Sequence, residues 1–215
     1  AFEQTIENDK KSYTINYIDW KNIESNKFQV TEELRVIRTG RTEHYRPDVV
    51  LYVNGIPTCV IECKSPSLSG TKSPTELAVE QHIRNFSKDG IRSLYVYSNL
   101  LMSIATNDGS YATTGTSKEF WAKWKELFLN REEETEYWST LKQLKNQPLS
   151  NEQKGELFGE RKYGFSYAEP YFDRLEQEDR ALTKQDELLY SLCRPERLLR
   201  LIRNFTLYDD GIKKV

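Results

Sequence analysis

Between residues 49 and 63 the odd-numbered positions outside the turn are apolar: Val49, Leu51 and Val53 on one stretch, Cys59, Ile61 and Cys63 on the next. Side chains alternate sides along an extended chain, so these stretches read as two β-strands sharing one apolar face, joined at Asn54-Gly55. The other face is different. It starts at Asp48, runs through Val50 and Tyr52, returns through Thr58 and Val60, and ends in Glu62 and Lys64. Such a hairpin belongs in a sheet whose apolar side is covered.

Register decides whether the charged groups meet. A plain two-residue turn at Asn54-Gly55 puts Asp48 on the face of Cys59, Ile61 and Cys63, away from Glu62. An odd-length loop or a compensating bulge matches the two apolar faces and sets Asp48 beside or diagonal to Glu62, so the pattern predicts one of the two. Two carboxylates gathered there repel, and one is driven toward its protonated form unless a cation lies between them. Hard oxygen donors with room for water and phosphate suit Mg²⁺. Lys64, on the same face, is placed to hold or deprotonate a water and to neutralise phosphoryl oxygens. The competing reading is a surface hairpin whose Asp48, Glu62 and Lys64 form a solvated ion-pair ladder.

Strand and helix signals surround the hairpin. Phe28, Val30, Glu32, Leu34 and Val36 alternate as a strand beginning near Phe28. Ser73, Pro74 and Glu76 supply the N-cap, first-turn proline and capping-box partner of a helix running toward Gly90. Residues 91–99 and 100–106 read as two more strands with a turn at Asn107-Asp108-Gly109, and residues 117–130 as a helix through Phe120, Trp121, Trp124, Leu127 and Phe128. From Arg131 the chain is charged and mostly helical, over Arg131–Asn146, Ser166–Leu182 and Pro195–Asn204, with Asn146–Gly164 as a flexible connection. The expected organisation is an α/β domain over residues 1–130, with a mixed sheet flanked by helices, and a helical extension over residues 131–215.

Lys and Arg number 31 against 33 Asp and Glu, a net charge of −2, so any contact with nucleic acid must be local. Arg35, Arg38, Arg41, His44 and Arg46 cluster just before the hairpin and offer such a patch, with an ordinary charged loop as the alternative. Three cysteines without a Cys/His cluster argue against a disulfide scaffold or zinc site and fit a reducing, cytoplasmic setting. No apolar run approaches the roughly 18 residues of a membrane span. Ala opens the sequence and Met102 is its one methionine, so a piece of a longer protein is expected.

Pro47-Asp48, followed by Glu62-Cys63-Lys64 on the next strand, resembles the PD-(D/E)xK nuclease signature. With "YIDWKNIESNKFQV", "RPDVVLYVNGIPTCVIECKSPS", the Gln81 helix and "LLRLIRNFTLYDDGIKKV", the chain is similar, from about Tyr17 onward, to the N-terminal region of the restriction (R, motor) subunit of type I restriction enzymes. That resemblance implies a restriction-endonuclease-like fold and Mg²⁺-dependent endonucleolytic cleavage of double-stranded DNA, in a complex with methyltransferase and specificity subunits. It assigns Asp48, Glu62 and the Cys63 carbonyl to the metal and Lys64 to the attacking water. It also brings Gln81 into the catalytic set through a Q-x-x-x-Y motif.

Here that motif reads Gln81-His82-Ile83-Arg84-Asn85, without the tyrosine. Gln81, Arg84, Asn85 and Lys88 share a polar helical face that offers itself to DNA backbone, joined by Arg46, with a solvated helix face as the alternative, while Val79, Ile83 and Phe86 turn toward a core. His82 is expected to have a structural or surface role, and Trp121 and Trp124 to pack in the core. No G-x4-G-K-[ST] occurs, so ATP binding is expected in a motor beyond Val215. The rival readings are a non-catalytic DNA-binding or assembly module with the same fold, and a repair or recombination nuclease of that superfamily.

Overall fold

A computed structural model describes residues 2–6, 9–13, 16–68, 70–155, 168–209 and 212–214. Phe2–Ile6 (β1) and Asp9–Tyr13 (β2) form a hairpin of their own, and the main sheet begins with Phe28–Glu32 (β3). The alternation that starts at Phe28 does not run on to Val36. Glu33 takes a positive φ of 46° and turns the chain into a small hairpin, Val36–Ile37 (β4) against His44–Tyr45 (β5).

Val49–Val53 (β6) and Ile56–Cys63 (β7) follow as the central hairpin. Its turn is the two residues Asn54-Gly55, with φ of 50° and 80°, the left-handed pair that a tight hairpin turn requires. The register then shifts: Val53 pairs with Ile56 and Tyr52 with Pro57, but Leu51 pairs with Cys59. Thr58 is the extra residue, its Oγ1 donating to the Leu51 carbonyl at 3.1 Å and its own carbonyl accepting from Asn99 N at 2.9 Å. This is the compensating bulge, and it brings Val49, Leu51 and Val53 onto the face of Cys59 and Ile61.

Pro74–Phe86 (α1) begins with the full capping box between Ser73 and Glu76, and ends at Ser87, short of Gly90. Residues 91–99, expected as a strand, instead contain the helix Arg92–Tyr97 (α2). Alternation suggested a strand, but the residues that bury are Ile91, Leu94, Tyr95 and Ser98, which is helical spacing. The helices form the crossover to Leu100–Ala105 (β8), which lies parallel to β7, as a parallel pair requires. Asp108–Ala112 (β9) pairs antiparallel with β8, so Asp108 and Gly109 lie in a strand and the turn is Thr106-Asn107. The sheet order is β3-β6-β7-β8-β9, a mixed five-stranded sheet.

Residues 117–130 do not form the expected helix. A 3-10 turn at Lys118–Phe120 leads into extended chain held by the Tyr111–Ala122 bridge. Trp121 packs with the cluster under α1 and Trp124 with the cluster on the opposite face of the sheet. Residues three apart share a helical face but point to opposite sides of extended chain, so only the latter can serve both clusters.

Arg131–Asn146 (α3) is the helix expected there. Asn151–Lys154 (α4) lies in the expected connection, whose residues from 156 fall outside the described residues, and Ala168–Glu176 (α5) fills the centre of the next helical segment. Lys184–Cys193 (α6), which the sequence pattern did not single out, and Pro195–Asn204 (α7) precede a last hairpin, Leu207–Asp209 (β10) with Ile212–Lys214 (β11). Among the described residues no helix is long and apolar enough to cross a membrane.

Two cores result. On one face of the sheet Cys59, Ile61, Leu100, Met102 and Ile104 meet Leu188 and Leu192 of α6 and Leu198 and Leu199 of α7. On the other, Val50, Val60 and Leu101 meet Ile91, Leu94 and Tyr95.

Candidate active site

The bulge at Thr58 sets the geometry of the charged end. Continuing the Val49–Ile61 pairing by one residue brings Asp48 opposite Glu62. Asp48 Oδ2 accepts from the Cys63 backbone N–H at 2.6 Å, and its carbonyl accepts from Glu33 N at 2.9 Å. Lys64 Nζ lies 3.8 Å from Asp48 Oδ2 and donates to the Cys63 carbonyl at 3.2 Å, while the Lys64 backbone is tied to Ile104 at 2.9 Å. Asp48, Glu62, Lys64 and the Cys63 carbonyl are therefore together. The Cys63 side chain belongs to the opposite, odd-numbered face.

Glu62 is the unusual member because it is 0% exposed. Gln81 Nε2 donates to its Oε2 at 2.5 Å, and Asn85 Nδ2 to its Oε1 at 3.0 Å. Burial foremost, then the Asp48 charge, pushes its carboxyl up to about 8, with Lys64 and Arg84 pulling the other way. Without a cation the acid is held protonated at neutral pH. Ser103 stands in register with Glu62 across β7 and β8, its buried Oγ without a hydrogen-bond partner among the described residues.

Behind Glu62 the hydrogen bonds continue inward. Asn85 Nδ2 also reaches the Tyr95 hydroxyl at 3.3 Å, that hydroxyl lies 2.9 Å from His82 Nδ1, and His82 Nε2 lies 3.0 Å from the Met102 carbonyl. A carbonyl only accepts, so Nε2 carries the proton. Nδ1 then accepts from the Tyr95 O–H, and the Tyr95 oxygen accepts from Asn85. His82 is neutral, burial having lowered its imidazole to about 4. The α1–α2 turn makes this possible through Gly90, where a Cβ would stand 2.3 Å from the Asn85 carbonyl.

The four residues expected to touch DNA fare differently. Asn85 is fully buried against Glu62 and Tyr95, and so is removed from any ligand surface. Arg46 is exposed and pairs with Glu33 at 3.4 Å; Arg84 and Lys88 are exposed near the end of α1. Ile83, expected inside, is 43% exposed, because the inward stripe of α1 here is the polar one that covers Glu62. Sequence reasoning missed Tyr95 entirely, since α2 read as a strand, and left His82 between a structural and a surface role, without its partners.

The cluster offers two carboxylates and a backbone carbonyl, all oxygen donors, and among the described residues no group of three or more His, Cys, Asp and Glu side chains is arranged for a metal. This incomplete oxygen set fits a hard divalent ion that keeps several waters, and does not fit zinc.

A family model described as "Type I restriction enzyme R protein N terminus" matches residues 1–120, a span that holds every residue of this cluster. Over 116 residues, 53% of this chain, the sequence is 33% identical to a protein of Methanocaldococcus jannaschii that carries the name of a type I restriction enzyme MjaIXP endonuclease subunit. The matched stretch is 10% of that protein, so the chain corresponds to a small part of its relative.

Proposed function

This chain belongs to the type I restriction enzyme R protein N-terminal family, and from that premise we propose that its strand-end acids cut DNA. The reading is a PD-(D/E)xK domain that hydrolyses phosphodiesters of double-stranded DNA with Mg²⁺, inside a complex with methyltransferase and specificity subunits. The observation that carries it is the meeting of the three groups: Lys64 Nζ stands 3.8 Å from Asp48 Oδ2, and Glu62 is in register opposite Asp48.

Asp48, Glu62 and the Cys63 carbonyl would hold the cation, whose bound charge stabilises the phosphate under attack. Glu62 must first give up its proton. Lys64 orients and polarises the attacking water and offsets charge building on the phosphoryl oxygens. Gln81 acts through Glu62, fixing one carboxylate oxygen rather than touching DNA.

In the intact complex, Asp48→Ala and Lys64→Ala are each expected to lower cleavage by about two to three orders of magnitude, the scale for losing one charge-stabilising group. ATP-driven translocation should continue. Cleavage that survives either change while translocation runs would overturn the assignment and favour a non-catalytic assembly role.

A further inference from the structure

Two guanidinium groups share the Tyr45 ring, with Arg84 Cζ 4.5 Å and Arg38 Cζ 4.7 Å from its centroid. Two like charges over one ring repel, and Tyr45 cannot by itself offset that. Arg38 is compensated: it donates to the Asp89 carbonyl at 3.1 Å and stands 3.3 Å from the Asp89 carboxylate. Arg84 is not. It has no carboxylate partner among the described residues, and its Nε and Nη2 go to Asn85 Oδ1 at 3.3 and 3.1 Å. Ring and amide fix the guanidinium from two directions, while its remaining N–H groups have no protein acceptor among the described residues.

The position of Arg84 matters as much as its charge. Asn85 links it directly to Glu62, and the two are close enough for the guanidinium to favour the ionised acid. The hairpin that brings Tyr45 and Arg38 is fastened to the α1–α2 turn, Thr39 N donating to the Gly90 carbonyl at 2.8 Å. Arg41 extends the same surface, only loosely paired with Asp89 at 3.9 Å. A chain of net charge −2 therefore carries a locally basic edge next to its acids.

We propose that the β4–β5 hairpin and the end of α1 form a seat for the phosphate backbone of duplex DNA, with Arg84 and Arg38, ordered on Tyr45, receiving phosphates that flank the one at the acid cluster. This rests on the nuclease reading and deepens it. A strand crossing Asp48, Glu62 and Lys64 must run on with a negative charge at every nucleotide. Held guanidinium forks suit phosphate oxygens better than mobile ammonium groups do. Arg84 thus joins the two functions, a phosphate ligand on its outer side and a neighbour of the metal-binding acid on its inner side.

The test is salt-dependent binding of a short fluorescent duplex to the intact protein, alongside cleavage. Arg38→Gln with Arg84→Gln is expected to weaken binding about tenfold or more at low salt and to reduce the slope of log K against log salt by about 2, near one for each phosphate no longer neutralised. Cleavage should weaken through a raised KM and, because Arg84 also favours the ionised Glu62, through a lower rate at saturating DNA. Arg84→Lys, which keeps the charge but not the fork, should retain the slope with weaker binding.

If the double variant binds with unchanged affinity and slope while Asp48→Ala still abolishes cleavage, the seat is wrong and the nuclease reading stands. If the slope falls but Asp48→Ala cleaves normally, the seat stands and the nuclease reading fails. A double variant that loses assembly with the other subunits but keeps its slope would mean that an acidic protein surface, not DNA, sits on this edge.

Discussion

The two faces of the central sheet are built from alternate residues of the same strands, yet they obey different rules. On the α6–α7 side Cys59, Ile61, Met102 and Ile104 meet leucines, and nothing polar is needed to explain the packing. On the α1–α2 side the next residues along, Glu62 and Ser103, are just as buried but polar, and are covered by Gln81, Asn85, Tyr95 and His82. A buried acid lowers stability unless its surroundings satisfy it. The comparison teaches a division of labour: both faces supply folding energy through their apolar clusters, but the α1–α2 face also accepts a cost to keep a carboxylate in place.

The largest effect should come from the dry face. Leu192 is fully buried there, and Leu192→Ala is expected to lower stability by about 2–5 kcal/mol through lost transfer energy and the cavity left behind. Well below its reduced Tm the variant should cleave DNA at the normal rate and keep the pH dependence described next. Denaturant unfolding and a cleavage assay at low temperature check both. A variant that folds fully but cleaves slowly would show that the faces are not separable.

The second effect belongs to Glu62. Folded and without a cation it keeps its proton up to about 8, whereas its ordinary value is 4.5. The folded chain therefore binds more protons than the unfolded chain across that window, and stability falls as pH rises. His82 works in reverse, because its folded value near 4 lies below the ordinary 6.5 and its contribution grows with pH up to 6.5. The two offset each other below 6.5. From there to about 8 Glu62 acts alone, facing Asp48, Lys64 and Arg84, and stability should decline by up to about 1.4 kcal/mol per pH unit. Glu62→Gln should flatten that decline at a modest cost in stability, since its amide nitrogen cannot accept as the second carboxyl oxygen does, and should abolish cleavage. Urea unfolding at pH 6.5 and 8 decides it; a decline that persists in Glu62→Gln would place the proton on another group.

Much of the dry face was legible because it is periodic. The odd-numbered apolar residues of β6 and β7, and the mismatch that a plain two-residue turn would create, were enough to require an odd-length loop or a bulge, and the bulge stands at Thr58. The start of α1 was legible because capping chemistry is local, in Ser73, Pro74 and Glu76. The polar face resisted reading. Helix α1 turns Gln81 and Asn85 inward and leaves Ile83 partly outside, the reverse of ordinary amphipathic logic, because what it covers is a carboxylate. Tyr95 could not be placed without knowing that α2 is a helix. Trp121 and Trp124, at helical spacing, serve opposite faces from extended chain, a demand set by the sheet edge rather than by any neighbour in sequence.

The smallest effect is the most searching test of the contrast. Ser103 is fully buried in the polar face, in register with Glu62, and its hydroxyl has no partner among the described residues. On a face made for stability such a hydroxyl would have been replaced, since an unpaired buried hydroxyl is penalised and a methyl group is not. Ser103→Ala should therefore leave stability within about 1 kcal/mol of the parent, or raise it slightly, even though Ser103 is fully buried. A Ser→Ala change at a hydrogen-bonded site would move the other way, as at Ser191, whose Oγ is 2.6 Å from the Tyr137 hydroxyl. Urea unfolding of the two variants side by side measures the difference. Equal losses would mean that the Ser103 hydroxyl is hydrogen-bonded in the folded chain, most simply through a water shared with Glu62. The polar face would then be satisfied throughout, and the cost of keeping the acid in place would fall on Glu62 alone.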